Sequence, residues 1–267
     1  MQRHEASRQG RGQVTLVGAG PGAADLLTLR AVRAMQAADV ILFDALVSTE
    51  VLDLARREAK RMLVGKRGHR VSCRQEDINA LMIKLAKQGK RVVRLKSGDP
   101  MIFGRAGEEI AALAVENIPV DIVPGVTAAL AAASDLGVSL THRDCAQGVK
   151  FITAHSRKGE LPDLDWCACA DVATTLVVYM GGRTAPALAN RLMEEGLSPT
   201  TPVVVLHDVS LPGANCQPMS LSDLLHAVIE REGPVLIGIG DVFRDVAART
   251  GIATPPPTNC LPLAVAN

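Results

Sequence analysis

Charged side chains that can bind anions or move protons follow several apolar runs of this sequence. Asp44 comes directly after the run VILF, and the cationic stretch KRGHR at 66–70 comes just after the run RMLV. Arg105 and Glu108 stand three residues apart at the start of a predicted helix, so they share one face. Residues just beyond the carboxyl ends of strands line the ligand crevice of an open α/β sheet, so these groups predict a crevice for an anionic ligand. The alternatives left open are a helix or turn cap for Asp44, a solvated loop at 66–70 and a surface ion pair at 105 and 108.

Three glycine-containing loops also follow apolar runs. The first, GAGPGA at 18–23, separates a predicted strand from a predicted helix and matches the G-x-G-x-x-G/A pattern, in which backbone amides at a helix start bind a ligand. The second is SGDP at 97–100, whose exposed backbone groups suit a nucleoside, and the third is PGVTAA at 124–129. A tight turn without a ligand, and close helix packing, are the alternatives for the first and third loops.

The remaining polar groups at predicted strand ends are weaker candidates. The run THRD at 141–144 clusters polar side chains, whereas His155 and His207 are interpreted as hydrogen-bonded structure and Met180, on spacing alone, as core. The six cysteines include no CxxC pair, and the two at 167 and 169 lack a second ligand pair with zinc spacing. We therefore predict reduced thiols and no metal site.

The elements that position these groups alternate between apolar strands and amphipathic helices. Continuous apolar runs between helices indicate a parallel sheet that is covered on both faces, and the pattern resumes after Pro124-Gly125. We predict two α/β domains, 14–123 and 124–246, with the active site in the cleft between them, a disordered leader at 1–13 and a disordered tail at 247–267. The predicted strands are 14–17, 40–43, 61–64, 92–95, 149–154, 174–180, 202–207 and 234–240, and the predicted helices are 23–38, 75–88, 107–115, 185–195 and 221–230.

Composition narrows the class of protein. The 267 residues suffice for one large or two modest domains, and 29 basic against 28 acidic residues exclude a strongly basic nucleic-acid scaffold. Only 2% of the residues are aromatic, which argues against stacking platforms for single strands. The polar start lacks the apolar segment of a secretory signal, and no stretch reaches the about 20 apolar residues of a membrane span. We expect a cytoplasmic protein with no nucleic-acid or membrane partner.

The ordered set of motifs resembles the tetrapyrrole methyltransferase superfamily, and within it the uroporphyrinogen-III C-methyltransferases. The resemblance covers about residues 14–246 and implies two α/β domains of the tetrapyrrole methylase type, usually in a homodimer. It also implies S-adenosylmethionine as co-substrate, and methylation of uroporphyrinogen III on rings A and B to precorrin-2, a precursor of sirohaem, cobalamin and d-type haem. The matching segments are VGAGPG (17–22), LLTLRA (26–31), FDALVS (43–48), VGKR (64–67), VVRLKSGDPMIFGR (92–105), GEE (107–109), VPGVTAA (123–129), LTHRD (140–144) and YMGG (179–182).

The resemblance also implies roles for individual residues. Those implied to bind S-adenosylmethionine are Pro21, Ser97, Gly98, Asp99, Ile102, Thr127, Ala128 and Met180. Those implied to handle protons or bind the tetrapyrrole are Asp44, Lys66, Arg105, Glu108 and Arg143. The chain departs from the family pattern at Ser97, where a glycine is usual, and at Val209, which we leave out of the site.

The implied chemistry suits these side chains. Uroporphyrinogen III has eight carboxylates, which Lys66, Arg105, Arg143 and the arginines at 67 and 70 can bind. A pyrrole carbon attacks the sulfonium methyl group and the charged ring then loses a proton, for which Asp44 is a better base than the permanently protonated Arg105. The rival functions are a sister methyltransferase for a later corrinoid, a tetrapyrrole or nucleotide carrier without turnover, and an NAD-dependent oxidoreductase built on Gly18, Gly20, Ala23 and Asp44.

Overall fold

The structure is a computed structural model that describes residues 12–65, 73–156, 159–229 and 233–249. The chain divides into two compact units, Met1–Ala128 and Ala129–Asn267. The predicted leader and tail lie outside the described residues except at their inner ends, where a strand begins at Gln13 and a helix continues to Arg249.

The first unit alternates strands and helices. In chain order its elements are β1 (Gln13–Gly18), α1 (Leu29–Ala37), β2 (Val40–Phe43), α2 (Thr49–Asp53), β3 (Lys60–Leu63), α3 (Gln75–Lys87), β4 (Arg91–Lys96), α4 (Ala106–Val115) and β5 (Val120–Val123). The first predicted helix begins later than its apolar pattern, because Thr28 caps α1 by accepting a hydrogen bond from the Ala31 N–H. Strand β5 was not predicted, because the sequence pattern in this region indicated only a break at Pro124-Gly125.

The five strands of the first unit form one parallel sheet in the order β3-β2-β4-β1-β5. This confirms the prediction of an α/β unit with a parallel sheet. The carboxyl ends of β1, β4 and β5 meet at one edge, where Gly18 lies beside Lys96 and Val17 beside Val123. The glycine-containing loops that follow these strands therefore lie at the same edge of the sheet.

Apolar side chains cover both faces of this sheet. One face packs Val17, Val93 and Leu95 against α1 and α2, and the other packs Leu16, Leu42 and Val92 against α3 and α4. Leu16 and Leu42 are the register neighbours of Arg94 on its two sides. Arg94 thus lies among buried leucines in the central strand of the sheet.

The second unit contains five strands and five helices within the described residues. They are α5 (Ala128–Leu136), β6 (Gly148–Thr153), α6 (Trp166–Cys169), β7 (Thr174–Tyr179), α7 (Ala185–Glu194), β8 (Pro202–His207), β9 (Asn215–Ser220), α8 (Leu221–Leu224), β10 (Val235–Ile239) and α9 (Arg244–Arg249). The first residue of α5 still belongs to the first unit as the chain divides. The core is built on the fully buried Leu188, Leu192 and Leu221.

The second sheet, in the order β6-β7-β10-β8-β9, is mixed rather than parallel. Strand β10 runs antiparallel to both β7 and β8, and β9 runs antiparallel to β8. The expectation that the first unit's pattern simply resumes is therefore wrong for strand direction. Strand β9, which was not predicted, is an edge strand with the polar sequence NCQPMS, and Pro218 is tolerated there. The predicted helix at 221–230 is a single turn, Leu221–Leu224.

Among the described residues there is neither a candidate membrane span nor a candidate metal cluster. No helix among them is long and apolar enough to cross a membrane. In the same parts of the chain, no group of three or more His, Cys, Asp and Glu side chains is arranged to hold a metal ion.

Candidate active site

The loops after β1, β4 and β5 approach each other so closely that two positions admit only glycine. A Cβ atom on Gly18 would lie 2.5 Å from the Cα of Gly125, and one on Gly125 would lie 2.3 Å from the carbonyl oxygen of Gly98. These distances are shorter than any real Cβ contact, so Gly18 and Gly125 are required by backbone packing. Gly20 and Gly98 also exchange hydrogen bonds, with Gly98 N–H donating to Gly20 O at 2.6 Å and Gly20 N–H donating to Gly98 O at 3.2 Å.

Gly98 differs from these two glycines because its outer side is open. A Cβ atom there would meet nothing nearer than the Cα of Thr127 at 4.0 Å, and the residue has a φ of 67°. The preceding residue, Ser97, is absent from the described residues with positive φ, so the serine causes no left-handed strain. The departure at 97 thus leaves the backbone of the loop intact, and the Cα of Gly98 faces open space.

Asp99 connects the loop after β4 to the loop after β5. Its Oδ1 accepts a hydrogen bond from the Met101 N–H at 2.8 Å, and its Oδ2 accepts one from the Gly125 N–H at 2.9 Å. Both carboxylate oxygens are therefore bound to backbone amides, and the side chain fixes the glycine loops relative to each other.

The other residues expected to bind S-adenosylmethionine lie in both units. Pro21, Ile102, Thr127 and Ala128 follow β1, β4 and β5 of the first unit, and of these Thr127 is buried at 6% exposure. Met180 belongs to the second unit, directly after β7, where it is 50% exposed and has a φ of 58°. A methionine in the left-handed region is uncommon, so the chain turns sharply at this strand end.

Asp44 lies at the carboxyl end of β2, where its side chain is paired with Arg94. Arg94 Nη2 donates to Asp44 Oδ1 at 2.6 Å, and the side chains are 3% and 28% exposed, respectively. Alternate residues of a strand share a face, so β2 directs Asp44 to the side from which Arg94 projects. The partly exposed carboxylate can accept a proton from a ligand while a buried arginine holds it.

Sequence reasoning missed the three charged groups behind Asp44. Glu109, which is fully buried, accepts hydrogen bonds from Arg94 Nε at 3.1 Å and from Lys96 Nζ at 3.0 and 3.1 Å. Gln75 Nε2 donates to the same carboxylate at 3.1 Å. Burial, together with the nearby positive charge of Arg94, lowers the pKa of Lys96. The missed signal was the pair of cations at alternate positions of the apolar run VVRLK, because buried charges require partners.

Arg105 and Glu108 form the ion pair that their spacing allows. Arg105 Nε and Nη2 donate to the two Glu108 oxygens at 2.7 and 2.6 Å, and the side chains are 52% and 45% exposed. The hydrogen bonds with Glu108 raise the pKa of Arg105 above its ordinary value, which agrees with a role as a cation rather than a base. Arg105 also has a φ of 56°, so a non-glycine residue precedes α4 in a left-handed conformation.

Two further residues expected to bind the tetrapyrrole lie elsewhere. Lys66, with its cationic neighbours at 67 and 70, lies outside the described residues. Arg143 lies in the second unit, exposed, within the turn closed by the His142–Ala146 bridge, and it forms no ion pair within the described parts of the chain. His155 is exposed in that unit, whereas His207 is buried at 4% exposure in β8.

A family model described as Tetrapyrrole (Corrin/Porphyrin) Methylases matches residues 13–225. The chain belongs to this family. The matched region begins with β1 and extends through the short helix α8, so it includes both sheets except β10. The fold class is therefore that of a tetrapyrrole methylase, as the ordered motifs indicated.

Two curated relatives of this tetrapyrrole methylase are siroheme synthases. The one from Neisseria meningitidis serogroup B is 49% identical over 240 residues, and the one from Azotobacter vinelandii is 48% identical over 242 residues. The alignments cover 89% and 90% of this chain but only 50% and 52% of the relatives. The chain thus spans about half the length of the curated relatives it matches.

Solved structures of similar length include two methyltransferases. The uroporphyrin-III C-methyl transferase of Thermus thermophilus, complexed with S-adenyl homocysteine, has a TM-score of 0.77 and 38% identity, with 88% of this chain and 100% of that chain covered. A cobalt precorrin-4 methyltransferase has a TM-score of 0.74 and 28% identity, with 85% of this chain and 94% of that chain covered.

Proposed function

We propose that this chain methylates uroporphyrinogen III on rings A and B, with S-adenosylmethionine as methyl donor, and releases precorrin-2. The observation that carries the proposal is the match, over 88% of this chain, to the whole of the Thermus thermophilus uroporphyrin-III C-methyl transferase, whose crystal holds S-adenyl homocysteine. The open side of Gly98 supports it, because a Cβ atom there would meet no side chain within 4 Å, so a ligand group can approach the Cα of this residue.

The proposed binding site for S-adenosylmethionine in the first unit is the set of loops after β1, β4 and β5. In the second unit, Met180 stays a predicted binding residue on the family resemblance alone. Ser97 offers backbone groups, Gly98 leaves open space beside its Cα, and Asp99 fixes the loops relative to each other through Met101 and Gly125. Ile102, Thr127, Ala128 and Pro21 complete the set with small or apolar side chains. When bound, S-adenosylmethionine supplies an electrophilic methyl group on a sulfonium centre.

The proposed tetrapyrrole-binding groups divide into cations and a base. The cations that bind the carboxylates of the macrocycle are Arg105, Arg143 and Lys66, and Glu108 orients Arg105. An arginine that binds a carboxylate through two hydrogen bonds fixes which pyrrole carbon faces the methyl group. Asp44 takes up the proton that the methylated ring releases, since its carboxylate is partly exposed and held by Arg94. Alignment of the two substrates supplies about 7–11 kcal/mol of the barrier reduction.

Mass spectrometry of the product tests the proposal. Purified protein, incubated under reducing conditions with uroporphyrinogen III and S-adenosylmethionine, is expected to yield a tetrapyrrole with two added methyl groups. A product of a later precorrin with one added methyl group, and none from uroporphyrinogen III, would assign the chain to the sister methyltransferases. Thermal shifts with NAD and with S-adenosylhomocysteine distinguish the oxidoreductase alternative from a methyltransferase, because only a ligand that binds the folded protein raises the melting temperature.

We also propose that the chain acts as a homodimer in the cytoplasm. The reason for the dimer is the resemblance to the uroporphyrinogen-III C-methyltransferases, and light scattering on a size-exclusion column measures the mass directly. A mass of one chain, about 28.2 kDa, across the micromolar range would refute it. Fractionation of the source cells tests the location.

A further inference from the structure

Four charged side chains form one continuous series of ion pairs in the first unit. The series runs from Asp44, at the carboxyl end of β2, through Arg94 to Glu109 and Lys96. Two cations oppose two anions, so the formal charges cancel within the series. Only Asp44 is partly exposed at 28%, whereas the side chains of the other three are at most 4% exposed.

Arg94 is the member that joins the exposed carboxylate to the buried ones. Its Nη2 donates to Asp44 at 2.6 Å, its Nε donates to Glu109 at 3.1 Å, and its Nη1 donates to the Leu95 carbonyl oxygen at 3.2 Å. Each of the three guanidinium nitrogens therefore has a fixed acceptor. Because the guanidinium is planar, these three contacts leave it one orientation, and that orientation sets the position of Asp44.

Stability alone gives a weak reason for this series. Removing charges from water costs several kcal/mol per ion, and well-packed apolar residues in place of a buried ion pair are often neutral or stabilising. Arg94 lies between Leu16 and Leu42, both fully buried, in the central strand where another apolar residue would pack. The feature that an apolar residue could not supply is a rigid hydrogen-bond donor aimed at Asp44.

We propose that Arg94 is a positioning residue for Asp44, and that Glu109, with Lys96 as its counter-ion, holds Arg94 in place. The inference rests on the proposed function, in which Asp44 takes up the proton released by the methylated pyrrole ring. Gln75 contributes by donating a hydrogen bond to Glu109 from α3, at 3.1 Å. The consequence is that displacement of Arg94 slows turnover through Asp44 and leaves the binding of both substrates nearly unchanged.

A double-mutant cycle between Arg94 and Asp44 tests the inference. Arg94→Lys keeps the positive charge but lacks the planar fork that contacts two carboxylates at once. We expect kcat for uroporphyrinogen III methylation to fall about 10- to 100-fold, since a displacement of about 1 Å in a reacting group has effects of this size. We expect KM and the affinity for S-adenosylhomocysteine to change less than about threefold. In the Asp44→Asn background the same change is expected to lower kcat less than about twofold, because the residue it positions is already gone.

The matched control is Arg91→Lys on the same strand. Arg91 also pairs with an aspartate, Asp39, at 2.9 Å, but it lies at the amino end of β4, away from the proposed site. This variant is expected to keep the kcat of the parent protein even where it lowers the melting temperature. A fall in kcat equal to that of Arg94→Lys would show that any weakened ion pair on β4 slows the enzyme, and would overturn the inference.

The remaining outcomes separate the inference from the proposed function. If Arg94→Lys lowers kcat equally with and without Asp44→Asn, the positioning role is wrong while the proposed function stands. If the parent protein transfers no methyl group to uroporphyrinogen III, or Asp44→Asn turns over at the parent rate, the proposed function or the role of Asp44 fails instead. Should Arg94→Lys not fold, Glu109→Gln replaces it, and its effect on kcat must likewise vanish in the Asp44→Asn background.

Discussion

The carboxylate of Asp99 accepts a hydrogen bond from the backbone N–H of Gly125 at 2.9 Å. The two residues follow different strands, β4 and β5, which are not adjacent in the sheet, because β1 lies between them. A side chain of the SGDP loop therefore reaches across the end of β1 and fixes the PGVT loop. This contact makes one rigid edge from segments that the sequence presents as two unrelated motifs.

Asp99→Asn is expected to weaken S-adenosylhomocysteine binding by loosening this edge. An amide keeps only one acceptor oxygen, so either the Met101 or the Gly125 N–H faces an NH2 group and loses its partner. Losing a hydrogen bond to a charged group costs about 1.5–3 kcal/mol, which corresponds to at least a tenfold rise in Kd if the site must reorder on binding. Calorimetric titration measures it. The control is Asp25→Asn, at an exposed carboxylate of the short 3-10 helix Ala24–Leu26, which is not among the predicted binding residues. Equal affinities in both variants would show that Asp99 does not organise the binding site.

The two kinds of glycine at this edge should respond differently to alanine. Gly125→Ala places a Cβ atom 2.3 Å from the Gly98 carbonyl oxygen, and such overpacking costs about 1–3 kcal/mol in urea unfolding. Gly98→Ala meets open space and costs about 1–2 kcal/mol, for its φ of 67° alone. Its new methyl group enters the proposed ligand space, so we expect this variant to lose S-adenosylhomocysteine affinity at least tenfold while remaining folded. Unchanged affinity in folded Gly98→Ala would place the ligand elsewhere.

Two substitutions at Arg105, by alanine and by glycine, distinguish its role in substrate binding from the strain of its backbone conformation. Arg105→Ala and Arg105→Gly both remove the guanidinium, so both are expected to raise KM for uroporphyrinogen III about tenfold or more, whereas the exposed pair with Glu108 contributes only about 0–1 kcal/mol to stability. Because residue 105 has a φ of 56°, Arg105→Gly should be more stable than Arg105→Ala by about 1 kcal/mol in urea unfolding. If the two variants unfold at the same urea concentration, the left-handed backbone at 105 is not retained in solution.

The sequence predicted the parallel sheet of the first unit because its apolar runs are continuous and each is followed by a helix. It could not predict the antiparallel β10, since the run VLIGI would be equally buried in either direction. Strand β9 was not predicted, because NCQPMS has the composition of a loop and pairs along only one edge, with β8. Strand direction in the second unit depends on long-range pairing, which local pattern does not encode.

The sequence predicted which strand ends carry the candidate site residues, but it did not predict the hydrogen-bond partners of those residues. The positions of Asp44 and Asp99 after apolar runs indicated the edge of the sheet on which they lie. The acceptors of Asp99, both backbone amides, and the donor to Asp44, a buried arginine, depend on the register of β4 beside its neighbours. For Arg94 and Lys96 the available signal was the presence of charges inside an apolar run. Their common partner, Glu109, lies on α4, the helix that covers the same face of the sheet.

Asp39, at the amino end of the first sheet, should make the stability of the protein depend on pH in acid. Its carboxylate pairs with Arg56 at 2.6 Å and with Arg91 at 2.9 Å, and chiefly the hydrogen bond from the Arg91 side chain holds its pKa far below the ordinary value of 3.8. Because the pKa of this carboxyl is lower in the folded than in the unfolded protein, its ionised form stabilises the fold at every pH above the unfolded-state pKa. That stabilisation is lost progressively as the pH falls below about 4. Asp39→Asn is therefore expected to lower the free energy of unfolding by about 1–2 kcal/mol at pH 7, a value discounted for partial exposure. The difference in unfolding free energy between the parent protein and this variant should shrink by roughly 1 kcal/mol on going from pH 4.5 to pH 3. Urea unfolding at several pH values measures both, with Asp53→Asn, at a 67% exposed carboxylate paired with Arg61, as a control expected to stay within about 0.5 kcal/mol throughout. A deficit that is the same at pH 3 as at pH 7 would mean that Asp39 is not held ionised by the two arginines.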